Sequence, residues 1–229
     1  MEKYLYETHL HTYPVSKCAR CTVRENLEFY KSLGYAGVFI TNHFIDGNIN
    51  YDKTLPYAEK VEFYFSDYEE GLRIGKELGI SVFLGVESSY KGTDFLILGL
   101  DKEWFLAHPE IEGMKRSDLL TFLADEGAFI VQAHPYREAS YINHIRLFPR
   151  FVHGTEIYNG NCNDFENSMA ENYAKAYDLI PLAGSDNHKG EGHKKLCGIG
   201  CNSPIMDEAD FIKKAKNREL EPFCRVLEE

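Results

Sequence analysis

Short apolar runs recur along the chain, and most are followed by a stretch whose apolar positions repeat with a helical period. Tyr4 to Thr8 opens the series. Thr22 and Glu25 have the spacing of a capping box, ahead of Val23, Leu27, Tyr30 and Leu33 and a terminating Gly34. Ala36 to Thr41 is apolar and β-branched, as a strand is. Pro56 to Leu78 fits a long helix, with Val61, Phe65 and Leu72 on one side and Gly79 past its end. Ser81 to Val86 and Phe95 to Leu98 read as strands, and Ser117 predicts the cap of a helix through Leu119, Leu120 and Leu123 to Gly127. Ala128 to Ala133, Thr155 to Tyr158 and Ile180 to Ala183 supply three more strands. A helix between the last two carries Phe165, Met169 and Tyr173, and a final helix runs from Asp207 to Asn217.

Seven candidate strands thus alternate with helices, and several are apolar on both faces, as in a parallel sheet covered by helices. The expected class is α/β, a distorted (β/α)7 barrel of TIM-like form, with an open doubly wound sheet as the alternative. No internal repeat or Pro/Gly/Ser linker divides the chain, so residues 1–229 are expected to form a single domain. Neither a G-x-G-x-x-G nor a Walker loop is present.

Composition adds limits rather than answers. Among 229 residues, 44% are hydrophobic and 27% charged, enough for a sizeable core. Acidic residues number 36 against 25 basic ones, a net charge of −11. Such a surface does not attract an extended nucleic acid or an anionic membrane, whose counterions only Lys and Arg displace. The start lacks the basic and apolar regions of a signal peptide, and no apolar run approaches the ~20 residues that span a bilayer. A cytoplasmic protein is expected. Reduced thiols are therefore expected at the six cysteines, Cys18, Cys21, Cys162, Cys197, Cys201 and Cys224. The pairs Cys18 and Cys21, and Cys197 and Cys201, offer a less favoured structural zinc reading.

Chemistry lies in what ends the strands. The first ends in His9, Leu10 and His11, the second in Thr41, Asn42 and His43, and the third in Glu87. The strand from Ala128 ends in His134, and the last ends in Asp186, Asn187 and His188. Residues i and i+2 of an extended strand share a face, so His9 and His11 can reach one ion, as can Asp186 and His188. In β/α barrels the C-terminal strand ends form one face, where such residues converge. Each has a plainer reading alone: a hydrogen-bonded histidine, a salt-bridged Glu87, a helix-capping Asp186. Jointly, seven buried imidazoles and carboxylates without compensation would cost several kcal/mol per charge, and metal is the economical reason to gather them.

In this order the motifs around His9 and His11, His43, Glu87, His134, and Asp186 with His188 resemble those of the polymerase and histidinol phosphatase (PHP) family. The resemblance runs from residue 4 to about 200. It implies a distorted seven-stranded barrel with two or three divalent metals, variously zinc, manganese or iron. His9, His11, Glu87 and Asp186 would hold one. Glu87 would bridge to a second, shared with His134, and His43 and His188 would serve a third. Two departures stand out. Where the family often has His or Asp after its first motif, this chain has Ser16, Lys17 and Cys18; either Cys18 substitutes as a soft ligand, favouring zinc, or the third site is weak or empty. Leu96 falls where many members carry a histidine, and Asp94 either replaces it or merely begins the strand.

Two metals ~3.5–4 Å apart can share a hydroxide and clamp a phosphate for in-line attack. Asp186, His188 and His134 are the candidate catalytic residues, with either histidine open as proton donor. Arg137 is a candidate phosphate clamp or else a surface ion-pair partner, and Lys189 and His193 are weaker candidates. Tyr13, Phe44, Tyr90 and Tyr158 either stack on a substrate or pack the rim. Specificity is expected in the loops Asp46 to Leu55 and Asp101 to Met114. The expected activity is hydrolysis of a small phosphate ester, such as histidinol phosphate or a short nucleotide. An amidohydrolase-like enzyme, or a non-catalytic metal-binding regulatory module, is the alternative.

Overall fold

The computed structural model describes residues 3–44 and 46–227. β1 (Tyr4–Leu10) leads into α1 (Val23–Ser32), where the Thr22 hydroxyl accepts from the Glu25 amide and the Glu25 carboxylate from the Thr22 amide. β2 (Gly37–Ile40) and the short β3 (His43–Phe44) precede α2 (Tyr57–Leu78), which Gly79 ends at φ 68°. β4 (Ser81–Tyr90) and β5 (Thr93–Leu98) form an antiparallel hairpin. α3 (Lys102–Ala107) and α4 (Arg116–Asp125) lead to β6 (Phe129–Ala133), which is antiparallel to β5. β7 (Gly154–Asn159), α5 (Asp164–Tyr177) and β8 (Ile180–Gly184) follow, and then β9 (Lys195–Cys201), α6 (Glu208–Lys216) and β10 (Glu221–Val226).

The sheet runs β10-β9-β1-β2-β4-β5-β6-β7-β8, with β3 paired beside β4. It curls until its last barrel strand nearly meets its first. Past the end of β8, the Asn187 carbonyl accepts from the His11 amide at 3.0 Å, and the Asn187 amide donates to the His9 carbonyl at 3.2 Å. At the other end β1 and β8 diverge, and β9 fills the gap. It pairs with β1 over Tyr4 to Tyr6, and the Ser185 hydroxyl bonds both backbone groups of Cys197. The contact is close: a Cβ on Gly198 would lie 2.3 Å from the Tyr6 carbonyl oxygen. Tyr6, Phe39, Phe83, Leu96, Phe129 and Leu182, from six strands, meet in one buried cluster as the inward side chains of a small barrel. Phe211 of α6 joins them. Leu10, Leu27, Val38, Ile74 and Val82 form a second cluster between the strands and α1 and α2.

The nearly closed barrel agrees with the expected fold class over an open sheet. Strict strand–helix alternation does not hold, because β4 joins β5 by a hairpin and β6 joins β7 without a helix. β9 and β10 carry no clear apolar alternation, since glycines and charged residues interrupt it, and the sequence reading misses both. Their antiparallel register sets Cys197 opposite Cys224, and a disulfide joins them. Reduced thiols therefore hold only for Cys18, Cys21, Cys162 and Cys201, and the four-cysteine zinc site is excluded because Cys197 is spent. Ser117 does not cap α4; the cap is Lys115, two residues earlier, and the helix starts at Arg116. Leu72 is 46% exposed, and Phe165 is 68% exposed because α5 turns Ala170, Tyr173 and Ala174 inward instead. No helix among the described residues is long and apolar enough to cross a membrane.

Candidate metal centre

The strand ends deliver their side chains to one place. Around Leu10, whose side chain packs toward α1, alternation turns His9 and His11 the other way. β3 pairs in parallel with β4 so that His43 lies opposite Glu87. His134 follows β6 and Asp186 follows β8, at φ 29° and 54°. These are left-handed conformations that non-glycine residues adopt at a cost of order 1–3 kcal/mol, and such strain concentrates at functional sites.

His9 Nε2 lies 3.1 Å from Glu87 Oε1, 3.5 Å from Asp186 Oδ1 and 3.1 Å from His11 Nε2. His11 Nε2 lies 3.4 Å from Glu87 Oε2 and 3.3 Å from Asp186 Oδ1. His134 Nε2 is 3.5 Å from Glu87 Oε1, and His43 Nδ1 is 2.6 Å from Glu87 Oε2. Three groups of donors result: His9, His11 and Asp186; His9, Glu87 and His134; His11, His43 and His188.

Hydrogen bonds fix which nitrogen faces inward. His9 Nδ1 donates to Glu156 Oε1 at 2.8 Å, leaving Nε2 bare toward the centre. Ser16 donates its hydroxyl proton to Asn42 Oδ1, so its lone pairs receive the N–H of His11 Nδ1 at 3.0 Å. The Asp186 carbonyl can only accept, so His188 Nδ1 donates to it and its Nε2 is bare. Glu156 also accepts from the His134 amide and from Asn159. A Cβ on Gly184 would lie 2.4 Å from the Cβ of His9 and 2.7 Å from Glu156 Oε1, so only glycine leaves room for this pair. Beneath them Glu7 accepts from the amides of His9 and Ser185 and from the Tyr30 hydroxyl, joining β1 to the end of β8. Burial pushes the Glu7 carboxyl up to about 7 against those donors.

Electrostatics match the geometry. Burial favours neutral carboxyls, but His43, His9 and His11 hold Glu87 well below the usual range, and His9 and His188 do so for Asp186. Burial drives His11 well below the ordinary imidazole value, helped by His188 and His43. Burial opposes a charge on His9, but Glu156, Asp186 and Glu87 outweigh it and raise it well above. Three buried atoms, Nδ1 of His43, Oε2 of Glu87 and Nε2 of His134, have no hydrogen-bond partner. Bare lone pairs facing one another are expensive unless they share cations. The residues present therefore fit divalent metals.

A cavity of about 550 Å³ opens over this cluster, lined among others by Cys18, His43, Asp94, Arg137, Tyr141 and His188. Arg137 donates to Asp186 Oδ2 at 3.0 Å, so its partner is in the cluster and not on the outer surface. Asp94 begins its strand and also reaches the site, 3.7 Å from His134 Nε2: β5 runs antiparallel, which brings its start to the mouth. Leu96 is buried in the barrel cluster. Cys18 lies against His43 and His188, whose hydrogen bonds outweigh burial and lower its thiol to about 6. His193 joins none of the three donor groups and is buried beside Gly160, and Lys189 does not line the cavity. Tyr13, Phe44, Tyr90 and Tyr158 line no part of this cavity; Phe44 packs on Tyr64 and Phe105. The lining aromatic is Tyr141, in the long loop after β6, which no sequence pattern marks. Asp46, Gly47 and Asn48 also border the cavity, as expected of their loop, whereas Asp101 to Met114 contributes nothing to it.

Replacing Glu156 with Gln is expected to weaken metal binding about 10–100-fold, the usual effect of losing a carboxylate behind a ligand histidine. Equilibrium dialysis against Zn²⁺ checks this; unchanged affinity would mean that Glu156 does not orient His9.

No family model matches the sequence, and no curated protein does. Solved structures resemble the fold. A two-domain protein from Bacteroides vulgatus ATCC 8482, containing a predicted PHP-like metal-dependent phosphoesterase, superposes with a TM-score of 0.69 at 14% identity. The match covers 97% of this chain but only 65% of that one, so this chain spans less than two thirds of its length. A protein of Bifidobacterium adolescentis ATCC 15703, inferred to be a metal-dependent phosphoesterase, gives 0.56 at 14% identity over 94% of this chain and 96% of its own. An amidohydrolase from Chromobacterium violaceum, with bound sulfate and no metal, gives 0.53 at 13% identity over 94% and 97%. At these identities the likeness is one of architecture: the chain shares the nearly closed barrel of PHP-like phosphoesterases and of an amidohydrolase.

Proposed function

We propose that the chain is a metal-dependent phosphoesterase acting on a small phosphate ester, such as histidinol phosphate or another phosphomonoester, or a short nucleotide. The observation that carries this is the convergence of His9, His11, His43, Glu87, His134, Asp186 and His188, with unpaired lone pairs turned inward beneath an open cavity. Two or three divalent cations, zinc, manganese or iron, would supply there an activated water and a clamp on the phosphoryl oxygens. Glu87, placed among four histidines, is suited to bridge two positions, and Asp186 to hold one while fixing Arg137. The free donors of the Arg137 guanidinium face the cavity and suit a phosphate oxygen. His188 is 18% exposed and His134 only 2%; burial opposes a charge on His188, but Asp186 and Cys18 outweigh it and raise it, which supports protonated His188, when no cation holds it, as the donor to the leaving oxygen.

The amidohydrolase neighbour makes amide or lactone hydrolysis the second reading. Such sites usually bridge their metals with a lysine, and none lines the cavity over this cluster. Turnover of p-nitrophenyl phosphate with added Mn²⁺ or Zn²⁺ is the test. Metal-stimulated release is expected, and metal bound without release from any of a panel of phosphate esters would sink the proposal. In the same assay Arg137→Ala is expected to lower kcat/KM roughly 10–100-fold, the ~1.5–3 kcal/mol of a charge-assisted hydrogen bond.

A further inference from the structure

Outside the cluster, the polar groups that line the cavity are already engaged. Asp46 pairs with Arg116 at 3.0 Å, the Ser89 carbonyl accepts from Arg116 at 2.7 Å, and Asp94 stands 3.7 Å from His134. Among the described residues Tyr141 alone brings a phenol or phenyl ring to this cavity, and it is 64% exposed. The flanking rings of its segment pack elsewhere, Tyr136 on Tyr173 and Phe148 on Phe95 and Phe151. Its place is nonetheless fixed. Before it, the Glu138 amide donates to Glu166 at 2.7 Å; after it, Ile142 packs on the β4–β5 turn, where a Cβ on Gly92 would lie 2.8 Å from Ile142 Cγ1. Arg146 donates to the Lys91 carbonyl of the same turn at 3.0 Å, and its own carbonyl accepts from Gln132 at 2.7 Å. Burial raises the Tyr141 hydroxyl, Arg137 opposes this, and Asp94, Asp186 and Glu87 reinforce it. The hydroxyl is thus the end that feels the cluster, while most of the ring stays open.

We propose that Tyr141 is a specificity-determining residue: its ring packs against the alcohol portion of the ester and selects phosphate monoesters that carry a flat aromatic or heteroaromatic ring close to phosphorus. This rests on the phosphoesterase reading above, with the phosphoryl group held by the ions and Arg137. An exposed ring gains by covering another ring, through lost apolar area and through offset or edge-to-face contact. A short aliphatic alcohol leaves it as wet as before. A tyrosine has only two side-chain torsions to fix, so ordering it against a ligand costs little.

Calorimetric titration of the Mn²⁺-loaded full chain with benzylphosphonate and with ethylphosphonate tests this without turnover. Neither compound has an ester bond to hydrolyse, and they differ by a phenyl ring in place of a methyl group. The native chain and Tyr141→Phe are expected to bind benzylphosphonate about 10-fold more tightly, and in Tyr141→Ala the preference should shrink to about 2-fold or less. The Kd of ethylphosphonate should stay the same in all three. A preference that survives in Tyr141→Ala, is lost in Tyr141→Phe or is absent from the native chain overturns the selective role and leaves the phosphoesterase reading standing. If neither compound binds the metal-loaded native chain, the phosphate site of that reading is overturned, and this proposal with it.

Discussion

Replacing Glu87 with Gln is expected to empty the inner centre of at least one cation and to cut phosphate release about 10³-fold or more. Four histidines, His9, His11, His43 and His134, approach its two oxygens at 2.6–3.5 Å, and burial leaves it no water to fall back on. The amide keeps the shape but loses the negative charge that the neighbouring imidazoles stabilise. It also turns an N–H₂ toward positions that need lone pairs. A 10³-fold loss corresponds to about 4 kcal/mol of transition-state stabilisation, at 1.36 kcal/mol per decade. Elemental analysis of the purified variant, alongside its kcat/KM, checks both halves. A variant that keeps its metal and its rate would remove Glu87 from the centre.

Chelation should have the largest effect on stability. An ion bound only by the folded chain stabilises it by about 4 kcal/mol at a free concentration of ~1,000 Kd. For a chain of this size each kcal/mol moves Tm by roughly 2–4 °C, so EDTA is expected to lower Tm by about 8–16 °C. The shift depends on pH with a definite sign. In the metal-free chain burial opposes charge on His9 and His43, but Glu156, Asp186 and Glu87 outweigh it at His9, and Glu87 and Cys18 at His43. Both are raised well above the ordinary imidazole value, so protonation stabilises the metal-free fold fully below about pH 6.5. That stabilisation is lost as pH rises through the raised folded values, while ions no longer compete with those protons. The gap between loaded and chelated Tm should therefore widen from acid to neutral and alkaline pH. A thermal melt with and without EDTA at three pH values decides it, and a gap that narrows would contradict the proton competition.

Much of this could be read before any coordinates. His9, His11 and His43, Glu87, His134, and Asp186 with His188 stand directly at strand ends, and barrel geometry then places them together whatever the intervening loops do. What escaped depends on strand direction and on long-range pairing. Asp94 reads equally as a site residue or as the start of an ordinary strand, and only the antiparallel run of β5 decides that it reaches the mouth. The same reversal sends the chain away from the cavity after Leu98, which is why Asp101 to Met114 contributes no lining. Glu7 and Glu156 were invisible as partners of His9 because each sits inside its strand, where an acid reads as an interruption of the apolar pattern. Cys197 and Cys224 meet across an antiparallel strand pair, β9 and β10, too glycine-rich and too charged to announce itself.

The barrel is buckled at its closing seam by a stretch that carries two of the proposed ligands. Asn187 exchanges main-chain bonds with His9 and His11, and its two neighbours, Asp186 and His188, turn toward the centre. Latch and liganding arm are consequently one covalent segment, and neither can wander without the other. On the proposed reading, a descendant of this sequence that gave up the ions would lose the reason to stay fastened there, and its cylinder would be free to splay along that line.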